Sequence, residues 1–199
     1  MRVAILTISD SVSRGIREDT SGPALRERCR QLGWNVIAEQ VLADEAVSIR
    51  EWLVSLADGG TAELVLTTGG TGIGPRDSTP EATTEACQKL LPGIPEMIRE
   101  YGRKKNPRAA LSRGVAGVRG RALIVNLPGS PRGAVESLDA VAEYPGVQAV
   151  SLNRQPGDEV DWRKGSHQYI FTVIGAAPDH EGVLAVRQLA EEGVQITYA

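Results

Sequence analysis

At 199 residues the chain has room for one domain, or for one domain with an extension. Hydrophobic residues make up 41% and aromatic residues only 4%, so the core must come from Ala, Val, Leu and Ile, which suits an α/β domain. A net charge of −3 offers no electrostatic footprint for nucleic acid, and the step Arg103-Lys104-Lys105 is short enough to be solvated surface.

Met1-Arg2 runs straight into Val3–Ile8, an unbroken apolar stretch that predicts a parallel-sheet strand. The stretch is too short for a signal or membrane segment and has no cleavage site, so a soluble cytoplasmic protein is expected. Ser9-Asp10-Ser11 then opens a polar loop. A helix is predicted over Pro23–Leu32, capped by Ser21 and ended near Gly33. A strand follows over Asn35–Val41, then Asp44 and a helix over Glu45–Ala57. Ala62–Leu66 predicts the next buried strand.

Thr79–Leu91 predicts a helix, broken by Pro92-Gly93-Ile94-Pro95 and followed by a short helix over Glu96–Tyr101. Ala116–Arg119 and Ala122–Asn126 read as strands, and Arg132–Glu143 as the helix after them. Beyond residue 143 the pattern changes. Strands are expected at Val147–Leu152 and Gln168–Gly175, a helix at Glu181–Glu192 and a last strand at Val194–Tyr198. The alternation predicts an α/β fold: a three-layer α/β/α sandwich with a mainly parallel sheet over 1–143, plus a β-α-β tail over 144–199.

Cys29 and Cys87 show no CxxC spacing and read as free thiols. With only His167 and His180, a histidine metal site or a Ser-His-Asp triad is hard to build. The chemistry concentrates elsewhere. Thr67-Thr68-Gly69-Gly70-Thr71-Gly72-Ile73-Gly74-Pro75-Arg76-Asp77 sits between a strand and a helix with proline in its first turn. Strand, glycine loop and helix N-terminus make a phosphate cradle. A carboxylate in that loop would repel phosphate unless a cation lay between, so Asp77 reads as a metal ligand. The loop is neither a P-loop nor GxGxxG, and glycine-rich turns after strands also occur without ligands. Ser9-Asp10, Asp44, the 68–77 loop and the 127–131 turn all follow predicted strands, so they should gather on one sheet edge.

These motifs, with Ser78-Thr79-Pro80-Glu81-Ala82-Thr83, Pro92-Gly93, Ser112-Arg113 and Asn126-Leu127-Pro128-Gly129-Ser130-Pro131, closely resemble the molybdopterin-binding family. The likeness covers residues 3 to 143 and points to its molybdopterin adenylyltransferases and the related domain of gephyrin. It implies transfer of AMP from ATP to the terminal phosphate of molybdopterin, with release of pyrophosphate. It also implies Mg²⁺, a homotrimer and hand-over to a molybdate-inserting enzyme.

By motif position Asp44 and Asp77 match the family's two functional acids. Asp77 is expected to hold the metal, with Asp44 as second ligand or positioning group. Read alone, either could be a helix cap. Gly69, Gly70 and Gly72 would present N–H groups to the ATP phosphates, with hydroxyls from Thr68 and Thr71. Ser9 and Asp10 either line the same edge or cap a helix. Pro128, Gly129 and Ser130 form an oxyanion-binding turn or a rigid connection. Arg76 could neutralise phosphate or pair with an acid, and Ser112-Arg113 could meet the pterin phosphate or lie in solvent. Tyr144-Pro145-Gly146 departs from the family's Leu-Pro-x-x-x-His-Ala ending.

Overall fold

The computed structural model describes residues 1–142, 149–152 and 171–174. Its contacts separate the chain into Met1–Ala142 and Glu143–Ala199.

The first unit is built on six strands: β1 (Arg2–Ile8), β2 (Asn35–Leu42), β3 (Leu64–Thr68), β4 (Lys89–Leu90), β5 (Ala116–Arg119) and β6 (Ala122–Leu127). They lie in the order β2-β1-β3-β6-β5-β4. Strands β2, β1, β3 and β6 are parallel, whereas β5 and β4 continue the sheet antiparallel. Six helices complete it: α1 (Asp10–Ser13), α2 (Ser21–Gln31), α3 (Ala46–Asp58), α4 (Thr79–Ala86), α5 (Gly93–Arg103) and α6 (Pro131–Ala142).

Successive strand residues point to opposite faces, and each face of this sheet is covered. Val3, Ile5, Leu66 and Val125 pack with Leu25, Ile98 and Leu138 from α2, α5 and α6. Ala4, Leu6, Val65 and Ile124 pack with Ile49 and Leu53 of α3 and Ala82 of α4. Helices on both faces give the three-layer sandwich that the unbroken apolar strands predict.

Several predicted elements shift, each for a local reason. Helix α2 starts at Ser21 behind an N-cap at Thr20, and its first N–H groups are taken by Asp19, whose Oδ1 accepts those of Ser21 and Gly22, both at 3.0 Å. A charged acceptor two residues upstream outcompetes the Ser21 hydroxyl. Helix α4 stops at Ala86 instead of Leu91, because the following backbone joins the sheet. Gln88 N–H donates to Val118 O and Leu91 N–H to Ala116 O, both at 2.8 Å. The ladder to β5 overrides helix propensity. The helix expected from Glu96 starts earlier, at Gly93: the segment expected to separate two helices opens the second, with Pro92 as N-cap and Pro95 in the first turn, where no N–H is needed.

In the second unit β7 (Ala149–Leu152) and β8 (Phe171–Ile174) pair antiparallel, within the strands expected there. The helix predicted at 181–192 and the strand at 194–198 lie outside the described residues.

One polar group is buried deep between sheet and helix. Asn126 donates its amide to the Thr67 and Thr83 hydroxyls, both at 2.9 Å, and accepts Val115 N–H at 3.1 Å. It ties β6 to β3, α4 and the segment before β5. Asn126→Leu strands all three partners, and we expect a loss of about 2–4 kcal/mol in stability. Urea unfolding should show a lower midpoint with an unchanged slope.

Candidate active site

Strands β1, β2, β3 and β6 are parallel, so the loops leaving their carboxyl ends share one edge. Hydrogen bonds lace these loops together. Ser9 N–H donates to Leu42 O at 2.9 Å, and Gly69 N–H to Leu127 O at 3.3 Å. The Thr68 hydroxyl donates to Pro128 O at 2.7 Å, so it is already committed to the neighbouring turn.

Gly69 has φ +105°, and a Cβ there would run into the Ile8 carbonyl. Gly70 has φ +60°. A Cβ on Gly70 would collide with the Thr79 hydroxyl and sit 2.5 Å from Asp44 Oδ2. Only glycine suits this backbone, on conformation and on space. Two residues on, a Cβ at Gly72 would lie 2.7 Å from Asp77 Oδ2. The structure therefore brings Asp44 and Asp77, far apart in sequence, against one glycine loop.

Asp44 does not cap the helix that follows it. The N-cap of α3 is Glu45, with no side-chain bond. Asp44 Oδ1 instead reaches the start of α4, accepting Ser78 N–H at 2.9 Å and the Ser78 hydroxyl at 2.8 Å. Its own N–H donates to Asp10 Oδ1 at 3.2 Å. Half-burial pushes the Asp44 carboxyl above its ordinary value. The two Ser78 bonds oppose that rise, while repulsion from Asp77 and Asp10 adds to it. Asp77 Oδ2 accepts Gly74 N–H at 2.7 Å, closing a tight turn within the loop.

The other expected residues divide clearly. Arg76 pairs with Asp10 at 2.8 Å and holds that carboxyl below its ordinary value. Ser9 caps α1, accepting Val12 N–H at 3.4 Å. Ser130 starts α6, its hydroxyl accepting Gly133 N–H at 3.2 Å. Gly129 presses on Gly69, so the 127–131 turn abuts the glycine loop. Thr71 is buried, and its carbonyl accepts Arg113 N–H at 2.9 Å. Ser112 Oγ accepts Gly114 N–H at 3.3 Å, a local bond. Arg113 is not a solvated arginine. Its Nε donates to Gly72 O and one Nη to Asp77 O, each at 2.6 Å, and the other Nη pairs with Glu81. The Cys87 thiol is pushed up to about 11 by burial, as is that of Cys29, so both are inert as thiolates.

Two participants escaped the sequence reading. Ser78 anchors Asp44, and Thr79 carries the one buried side-chain polar atom without a partner among the described residues, its Oγ1. A capping signal at the start of α4 was available for both, but nothing in it names Asp44 as the acceptor.

The donor set suits a hard cation. Asp44 Oδ2 and Asp77 Oδ1 have no protein donor among the described residues, and the orphaned Thr79 hydroxyl lies beside the first. All are oxygens. No cluster of three or more His, Cys, Asp or Glu that could hold a metal occurs among the described residues. Two carboxylates suffice for Mg²⁺ when phosphate and water complete the shell.

The family described as a probable molybdopterin binding domain matches residues 4–146. The chain is 43% identical over 143 residues to a protein of Helicobacter pylori (strain ATCC 700392 / 26695) named molybdopterin adenylyltransferase, covering 71% of this chain and 81% of that one. The Escherichia coli K12 protein of the same name is 37% identical over 154 residues, covering 73% and 76%. Among solved structures, the molybdopterin biosynthesis enzyme MoaB of Thermus thermophilus superposes with a TM-score of 0.68 at 52% identity, over 71% of this chain and 89% of that one. A MogA structure matches equally at 0.68, with 38% identity over 72% and 93%. No helix among the described residues is long and apolar enough to cross a membrane.

The raised Asp44 carboxyl bears on stability. A folded value above the unfolded one means that the native state binds more protons in that window. Stability is then lost as pH rises through it and stays low above. Asp44→Asn keeps an acceptor for Ser78 and removes this penalty. Relative to the parent, the variant's stability advantage should grow as pH rises through the range in which Asp44 titrates and persist above it, read by urea unfolding from acid to neutral pH. A difference independent of pH would show that Asp44 carries no such penalty.

Proposed function

The chain belongs to the molybdopterin-binding family, and on that premise we propose that it adenylylates molybdopterin in molybdenum cofactor biosynthesis. An oxygen of the pterin's terminal phosphate attacks the α-phosphorus of ATP. The bond from that phosphorus to the bridging oxygen of the β-phosphate breaks, and pyrophosphate leaves. No covalent enzyme nucleophile is required.

The observation that carries this reading is the placing of Asp44 and Asp77 against one glycine loop at the strands' carboxyl edge. Two polyanions must meet for the reaction to occur, so catalysis depends on alignment and charge. Backbone N–H groups of Gly70 to Ile73 bind and orient the triphosphate, whereas the Gly69 N–H, expected to join them, is already given to Leu127 O and the Gly74 N–H to Asp77. The 128–130 turn, pressed on Gly69, forms the neighbouring wall. Asp77 and Asp44 would hold Mg²⁺, which when bound supplies neutralising charge between the phosphates. Thr79 Oγ1 would complete that oxygen set. The reading includes a cytoplasmic homotrimer that passes its adenylylated product to a molybdate-inserting enzyme.

Pyrophosphate release from ATP, Mg²⁺ and molybdopterin tests the proposal. The parent should release pyrophosphate in proportion to adenylylated pterin. Asp77→Asn should release it at least ~100-fold more slowly. A parent that binds the pterin but releases nothing would be a binding protein of this fold instead.

A further inference from the structure

Arg113 is held against the glycine loop and α4 by its backbone N–H and by all three guanidinium nitrogens. Its backbone N–H holds Thr71 O at 2.9 Å, and its Nε holds Gly72 O at 2.6 Å. One Nη holds Asp77 O at 2.6 Å, and the other pairs with Glu81 in the first turn of α4. The guanidinium is thus engaged along its whole fork.

The Asp77 carbonyl belongs to the same peptide group as the Ser78 N–H. In a trans peptide these two point in opposite directions, and no cis bond occurs among the described residues. On the far side, Ser78 N–H donates to Asp44 Oδ1 at 2.9 Å. One rigid peptide plane therefore has Arg113 on its carbonyl side and Asp44 on its amide side. The residue that supplies the carbonyl is Asp77. Each hydrogen bond polarises the plane so as to strengthen the other. Fixing that plane fixes both where Asp44 anchors and where the Asp77 side chain departs.

We infer that Arg113 is a positioning residue, which sets the spacing of Asp44 and Asp77 by gripping the Asp77–Ser78 peptide between them. It acts through the backbone and touches neither carboxylate. The activity part of this inference rests on the adenylyltransferase reading. Lysine cannot replace it, because a single ammonium cannot span Gly72 O, Asp77 O and Glu81 together.

Two measurements test this, each on the full chain. The first is amide exchange by NMR on the ligand-free protein, which needs no activity. Arg113→Lys should speed exchange of the Ser78 amide at least ~10-fold while leaving the Leu66 amide in the central strand unchanged. An unchanged Ser78 rate would overturn the inference, and so would equal acceleration at Leu66, which would mark general destabilisation.

The second is a double-mutant cycle on pyrophosphate release. Arg113→Lys should lower kcat by ~10–100-fold with the KM for molybdopterin within about threefold, since misplacing a reacting geometry costs rate more than binding. In an Asp44→Asn background the same change should cost at least ~3-fold less than in the parent, the remainder reporting on Asp77. Full additivity would sink the idea that Arg113 works through Asp44. A KM rise with unchanged kcat would make Arg113 a phosphate ligand instead. A parent with no release would refute the adenylyltransferase reading, and the exchange result would still decide whether the grip exists.

Discussion

Holding a half-buried carboxylate, Asp44, against a glycine loop is the constraint around which this edge of the molecule is built. Burial raises the Asp44 carboxyl most, and the charges of Asp77 and Asp10 add to it. The fold turns backbone N–H groups onto all three acids. Ser78 N–H serves Asp44, Gly74 N–H serves Asp77, and Asp44 N–H serves Asp10. Among the described residues, the one side-chain cation in contact with these carboxylates is Arg76, and it sits on Asp10. Among the described residues Asp44 and Asp77 have only hydrogen-bond dipoles in direct contact, with the Arg76 charge felt by Asp44 at a distance. Dipoles hold a carboxylate in place without cancelling its charge, so both acids stay available for a cation.

The scaffold makes the convergence possible. Four parallel strands end at one edge, and the lateral bonds from Ser9 to Leu42 and from Gly69 to Leu127 keep their exits together. Asn126 adds a buried polar tie between β3, β6 and α4. Helix α4 is the element that matters most for the chemistry. Ser78 and Thr79 at its start meet Asp44 and Gly70, and its Glu81 meets Arg113. A short helix thus receives one acid from β2's exit and one arginine from the approach to β5.

Much of this was legible from residue order, and the limits were physical. Unbroken apolar runs reveal the inner parallel strands β1, β3 and β6, because strands covered on both faces need no alternation, whereas the edge strand β2 mixes polar residues into its run. The glycine loop and its acid are legible because the backbone geometry demands glycine at Gly69 and Gly70. Elements that depend on a distant partner are not legible. Residues 87–91 look helical until β5 offers them a ladder, and Asp19 outcompetes Ser21 for the first N–H groups of α2 only once the turn is formed. Arg113 is the clearest case. A serine-arginine pair after a loop looks like an anion site, and only the folded chain shows its guanidinium closed on Gly72, Asp77 and Glu81.

The same edge gathers features that a purely structural turn would avoid. Asp44 ionises against burial, Thr79 buries a hydroxyl with no partner among the described residues, and Gly69 and Gly70 give up side chains altogether. The first two lower the stability of the ligand-free protein, and the glycines keep the loop backbone open to a ligand. In the proposed reading a cation would answer Asp44 Oδ2 and the Thr79 oxygen, while phosphate oxygens would answer the N–H groups that Gly70 and Gly72 leave uncovered. Sites that break local rules together, with one remedy in common, are where binding energy can be turned into alignment. Arg113 supplies the complementary half of that arrangement. It grips the loop through its carbonyls and takes none of the loop's N–H groups, which in the proposed reading would leave them to the phosphates.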